Sequence, residues 1–199
     1  MENDAILDTL KQHLTPTAIQ KMSAGIGADP ATTEKAVRMA LPALLGGLAR
    51  NASKPQGAQS LDRALNDHDG GILDNLGGIL GSGGAGGIGG AILGHIFGSR
   101  RAPVEEGVGK ATGLDSRQIG KLLAMLAPIV MGVLGRMKQQ KRIDASRLPD
   151  VLQKSTKRME KDVPGAGGLA SMLDSNNDGQ IADDLARMGN SVLGGLFRK

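Results

Sequence analysis

Cysteine, tryptophan and tyrosine are absent from this 199-residue chain, and only two phenylalanines occur. Without cysteine there are no disulfides, no thiolate nucleophile and no thiolate metal site. Without aromatics, the core must be built from Leu, Ile, Val, Met and Ala, which suit helices better than sheets. The three histidines, His13, His68 and His95, stand too far apart in sequence for a local His-based metal motif. No nucleophile–base motif and no phosphate-binding loop occur. A G-x-G-x-x-G match at Gly84, Gly86 and Gly89 follows no strand and is expected by chance among 31 glycines. These absences point away from an enzyme and toward a binding or scaffold protein with an unidentified protein partner. The opening residues are acidic early and lack an apolar signal-peptide stretch, so the expected location is the cytoplasm.

The formal net charge is +4 and the isoelectric point about 9.5. The basic residues gather at Arg100 and Arg101, over 136–142, over 154–161 and at 198–199. Acidic residues interrupt most of these groups, as on solvated helix faces. No aromatic residues interleave with them, which speaks against nucleic-acid binding, although a helical nucleic-acid module stays open as the alternative.

Apolar spacing predicts only helices. Ile6, Leu7, Leu10 and Leu14 mark one over 4–14. Thr15-Pro16 and Asp29-Pro30 each read as an N-cap followed by proline in the first turn, opening helices to about 24 and 51. A polar loop is expected over 52–59, then a helix capped by Ser60. From Pro103 the grammar recurs, with Asp115 capping a long helix to about 140. Ser146 opens another helix, and a last one is expected over 182–197.

Shifting the chain by 86 positions aligns 27–50 with 113–136 without a gap, and eight of the 24 positions are identical. The pairs include Gly27 with Gly113, Asp29 with Asp115, Pro42 with Pro128, Gly46 with Gly132 and Arg50 with Arg136. Helical periodicity cannot align proline, aspartate and glycine together, so an internal duplication is the better reading. The expectation is an all-α protein. Its first helical unit is 1–75, a glycine-rich linker or glycine-zipper tract is 76–101, and the second unit is 102–199. The prolines predict kinks in the long helices, and Gly46 and Gly132 would let another backbone approach.

Asp174, Asn176, Asp178 and the Gln180 carbonyl follow the opening of an EF-hand loop, with Gly179 at its sharp turn. Alternating oxygens in a tight loop converge on a hard cation. The twelfth position is Leu185, where a bidentate Glu belongs, so a loop shortened by one would close on Asp184. One calcium ion is therefore the expected cofactor. An Asx-rich turn capping the last helix is the equally open structural reading. The segment 67–76 matches the same pattern from its third position, but Leu65 stands where the first Asp would be, and no binding is expected there.

From 75 to 99 there is no Asp, Glu, Lys or Arg. Gly78, Ser82, Gly86, Gly90, Gly94 and Gly98 recur at every fourth position. That stripe permits close helix approach, hence a homo-oligomer or a membrane span with Arg100 and Arg101 as a basic flank. Glycine costs about 1 kcal/mol per helical residue relative to Ala, so a soluble linker ending in a short helix over 91–97 is preferred.

The segments 41–48, 69–76 and 89–98, together with the loop at 174–185, resemble a bacterial family, domain of unknown function 937, which includes the YidB-like proteins. The resemblance implies an all-helical protein with a homeodomain-like arrangement. It implies no activity.

Overall fold

The computed structural model describes residues 2–67, 71–74, 78, 85–140, 143 and 146–162. These residues are overwhelmingly helical and contain no strand. In chain order the helices are α1 (Glu2–His13), α2 (Pro16–Ile26), α3 (Pro30–Ala52), α4 (Pro55–Asp67) and α5 (Gly71–Asp74). A π-helical turn (Ala85–Gly89) leads into α6 (Gly90–Phe97), and a 3-10 turn (Gly98–Arg100) leads into α7 (Arg101–Thr112). Then come α8 (Ser116–Gln139) and α9 (Leu148–Asp162).

The caps fall where the sequence signals them. Thr15 accepts a hydrogen bond from the Ala18 amide at 3.2 Å, and Asp29 accepts one from the Thr32 amide at 2.9 Å. α2 ends at Gly27 and α7 at Gly113, both left-handed, with φ of 70° and 81°. Asp115 accepts from the Gln118 amide at 2.7 Å, and the Gln118 side chain accepts from the Asp115 amide at 3.1 Å. This reciprocal box satisfies two donors that the helix start would leave orphaned. Gln118 then donates to the carbonyls of Ile26 and Gly27, fastening the start of α8 to the end of α2.

α8 is apolar all round because it is buried all round. Ile119, Leu122, Leu123, Leu126, Ile129, Val133 and Leu134 have no exposed surface. Its length and composition would suffice to cross a membrane, but 89 % of that apolar window is buried within the protein, as in a core helix. Helices α1, α2, α4, α5, α6 and α7 and the π turn all pack on it. α3 is the second central helix, and α9 lies along it. Apolar side chains from α1 to α9 form one cluster. The division at 1–75, 76–101 and 102–199 therefore does not separate independent cores among the described residues. The long helix of the later segment is covered by α4, α5 and α6, and the long helix of the earlier one by α9.

One local expectation changes. The loop over 52–59 is largely helical, because α4 begins at Pro55, whose fixed φ suits a first turn. Gly57 makes this possible: a Cβ there would run into the Asn51 carbonyl at the end of α3. Both α3 and α8 continue through their prolines, Pro42 and Pro128. Side chains meet the space at Gly46 and Gly132. The Thr156 methyl lies 3.5 Å from a Cβ at Gly46, and Leu73 and Ile72 lie 3.0 and 3.2 Å from one at Gly132.

Candidate functional site

The residues chosen for calcium, Asp174, Asn176, Asp178, Gln180 and Asp184, lie outside the described residues. So do the last predicted helix at 182–197 and half of 67–76. At that earlier loop, Leu65 is 1 % exposed and belongs to the core, so the position of a first ligand is taken by packing. Asp74 sits on α5 and pairs with Arg136 of α8 at 2.7 Å. No group of three or more acidic or histidine side chains among the described residues could hold a metal ion.

The glycine-rich segment forms the most distinctive surface. Proline at 128 has no N–H, so the Ala124 carbonyl one turn earlier loses its helical donor. Gly89 packs against this carbonyl: a Cβ at 89 would fall deep inside contact with the Ala124 oxygen. The Cα–H bond of Gly89 therefore points at that oxygen, as in a weak Cα–H···O contact. Below it, Leu93, Ile96 and Phe97 are buried at 0 %, 3 % and 5 % exposure. Gly47 of α3 makes room for them, since a Cβ there would lie 2.6 Å from Ile96 and 3.0 Å from Phe97. The Asn51 amide donates to the His95 and Ile96 carbonyls at 2.7 and 3.1 Å, capping the end of α6 from α3.

The opposite face of this segment meets solvent. Gly87, Ala91, Gly94, His95 and Gly98 are exposed, and Ile88 is 59 % exposed, the only large apolar side chain so exposed among the described residues. Cβ atoms added at Gly87, Gly90, Gly94 or Gly98 would meet nothing within 4 Å. The fourfold glycine stripe read from the sequence is thus solvent-facing at 90, 94 and 98, and the intramolecular close approach falls on Gly89, off that stripe. Its only signal was a glycine ahead of the apolar positions 93, 96 and 97.

Charged groups elsewhere are largely structural. Arg38 pairs with Glu34 and Arg101 with Glu105, both at 2.6 Å, and Lys110 pairs with Glu106 at 2.7 Å, each one helical turn apart. The Lys110 ammonium lowers the pKa of Glu106. Lys138 of α8 bonds the Asp62 carboxylate and, at 3.0 Å, its carbonyl, tying α4 to the end of α8. Burial and the nearby Arg136 charge hold the His13 imidazole below its ordinary pKa, with Asp74 opposing them.

Compared with known families, residues 8–137 match the family described as bacterial protein of unknown function, DUF937. The chain belongs to this family. The DUF937 match begins within α1, takes in the whole glycine-rich segment and ends near the end of α8, before α9. No curated protein and no solved structure matches the chain.

Proposed function

We propose that this DUF937 protein is a non-enzymatic cytoplasmic binding or scaffold module that self-associates through the outer face of Ala85–Gly89 and α6. The observation that carries the reading is Ile88, 59 % exposed on an uncharged face of glycine and alanine. Small residues let two such helices approach closely, and Ile88 supplies apolar area to bury. The seat beneath is packed into the core through Leu93, Ile96 and Phe97, which presents the face without prior ordering. Gly94→Leu tests it. Open space at Gly94 lets the side chain fit the protomer, while its bulk holds a second copy away. Light scattering should show concentration-dependent association of the wild type and a monomer for Gly94→Leu. A wild type that stays monomeric at every concentration sinks the reading.

Two finer proposals accompany it. Asp174, Asn176, Asp178, the Gln180 carbonyl and Asp184 bind one calcium ion, weakly, at roughly 10⁻⁴ M or above, because the bidentate Glu is missing. Calorimetric titration of the full chain checks this, and no heat at millimolar calcium would leave an Asx-rich turn. The segments α2–α3 and α7–α8 descend from one ancestral helix pair. The 86-position identities support this, as do the shared Asp caps, left-handed glycines and mid-helix prolines at the same offset.

A further inference from the structure

Positive charge is not spread evenly along the chain. Over 136–162, from the last turn of α8 to the end of α9, nine basic and four acidic residues give a net +5, against +4 for the whole chain. Arg136 and Lys138 are engaged by Asp74 and Asp62. On α9 the basic residues stand apart from the packing. Leu148, Val151, Leu152, Ser155 and Thr156 are buried, and α9 lies along α3. Lys154, Lys157 and Lys161 are exposed, and Arg158 is exposed beside them. At 3.6 residues per turn the three lysines fall within about 60° of arc, along about 10 Å of helix. None of the three makes an ion pair among the described residues. Asp150 is the one exposed acid among the described side chains of α9.

We propose that this face of α9 binds the phosphate backbone of duplex nucleic acid without reading its sequence. A row of lysines meets a polymer with one charge per about 1.7 Å of axis and releases its condensed counterions. The scarcity of aromatics disfavours stacking on single-stranded bases, but contact with a duplex backbone needs none. An anionic membrane is the poorer match. The apolar side of α9 is already buried, and no large apolar side chain on the described part of α9 is exposed, so nothing enters the lipid. The face lies outside the family-matched residues 8–137 and on a different helix from the α6 surface, so it stands or falls apart from self-association.

A fluorescein-labelled duplex of mixed sequence is titrated with the full chain and followed by anisotropy. Binding is expected with a Kd of roughly 10⁻⁶–10⁻⁴ M at low salt, and equally for unrelated sequences. Three phosphate contacts predict a slope of about −2.7 in log K against log salt, or about 40-fold weaker binding when salt rises fourfold. Lys154→Gln/Lys157→Gln/Lys161→Gln should weaken binding at least about tenfold and flatten the slope toward zero. Lys35→Gln/Lys54→Gln/Lys121→Gln removes the same charge from exposed positions elsewhere and should keep the slope. Circular dichroism checks that both variants fold. Should the α9 triple variant unfold, Lys157→Gln alone, which should lower the slope by about 1, carries the test. No binding at low salt overturns the proposal, as does an equal loss in the two triple variants. Binding to phosphatidylserine vesicles or to polyglutamate but not to the duplex overturns it too, in favour of a membrane or an acidic protein.

Discussion

Replacing Gly89 by alanine puts a methyl group where the Ala124 carbonyl oxygen already is. Both partners are backbone, so neither can rotate away. The π turn must lift from α8, or the Ala124 peptide must tilt in a helix that already lacks the hydrogen bond Pro128 cannot donate. Overpacking of this kind costs about 1–3 kcal/mol. If the turn lifts far enough to expose Leu93, Ile96 and Phe97, each loses about 1.5–3 kcal/mol of burial, which sets an upper limit near 5–9 kcal/mol. Alanine's better helix propensity returns only about 0.5–1 kcal/mol. The expected net loss is about 2 kcal/mol, a fall in Tm of roughly 4–8 °C for a chain of this size. Gly94→Ala is the matched control, since its Cβ meets nothing. It should stabilise the protein by up to about 1 kcal/mol. Thermal unfolding followed by far-UV circular dichroism, at concentrations too low for association, reads both. A Gly89→Ala protein at least as stable as wild type would refute the packing argument.

Other outcomes follow from the same contacts. Asn51→Ala removes the donor to the His95 and Ile96 carbonyls, and should cost about 1–2 kcal/mol in urea unfolding, with hydrogen exchange quickened first in α6. Asp115→Ala loses the cap and its box, a loss of about 0.5–2 kcal/mol, and the Gln118 bridge to α2 loosens with it. His13 has a lowered pKa in the folded protein, so the unfolded chain binds the extra proton. Its contribution is present above pH 6.5 and is lost as pH falls through 6.5 toward the folded value. Denaturant midpoints measured across that window should fall on acidification, and less steeply for His13→Gln.

The helix ends were legible because each is set by chemistry local to the chain. Thr15, Asp29 and Asp115 can satisfy amides three residues on, and glycine at 27 and 113 takes the left-handed turn that closes the preceding helix. The reciprocal box that Gln118 makes with Asp115 is seen only in the structure. What was not legible depends on partners distant in sequence. Nothing near Gly89 announces that Ala124 lies against it, and nothing near Gly47 announces Phe97. The short helix expected over 91–97 at the end of the glycine tract is there as α6 (Gly90–Phe97), but the core that Leu93, Ile96 and Phe97 enter comes from residues distant in sequence. The matching patterns at 27–50 and 113–136 likewise read as two units, since sequence cannot show that α9 covers α3 while α4, α5 and α6 cover α8. At the candidate surface, the glycine stripe was visible but its direction was not.

Native-state hydrogen exchange across 85–100 tests most directly whether the glycine-rich segment is part of the core and a rigid platform for its outer face. The amides of Leu93, Ile96 and Phe97 should exchange only through openings as rare as those that expose α3 and α8. Exchange of these amides at unprotected rates, while α3 and α8 stay protected, would make the segment a linker and remove the platform on which the proposed interface rests.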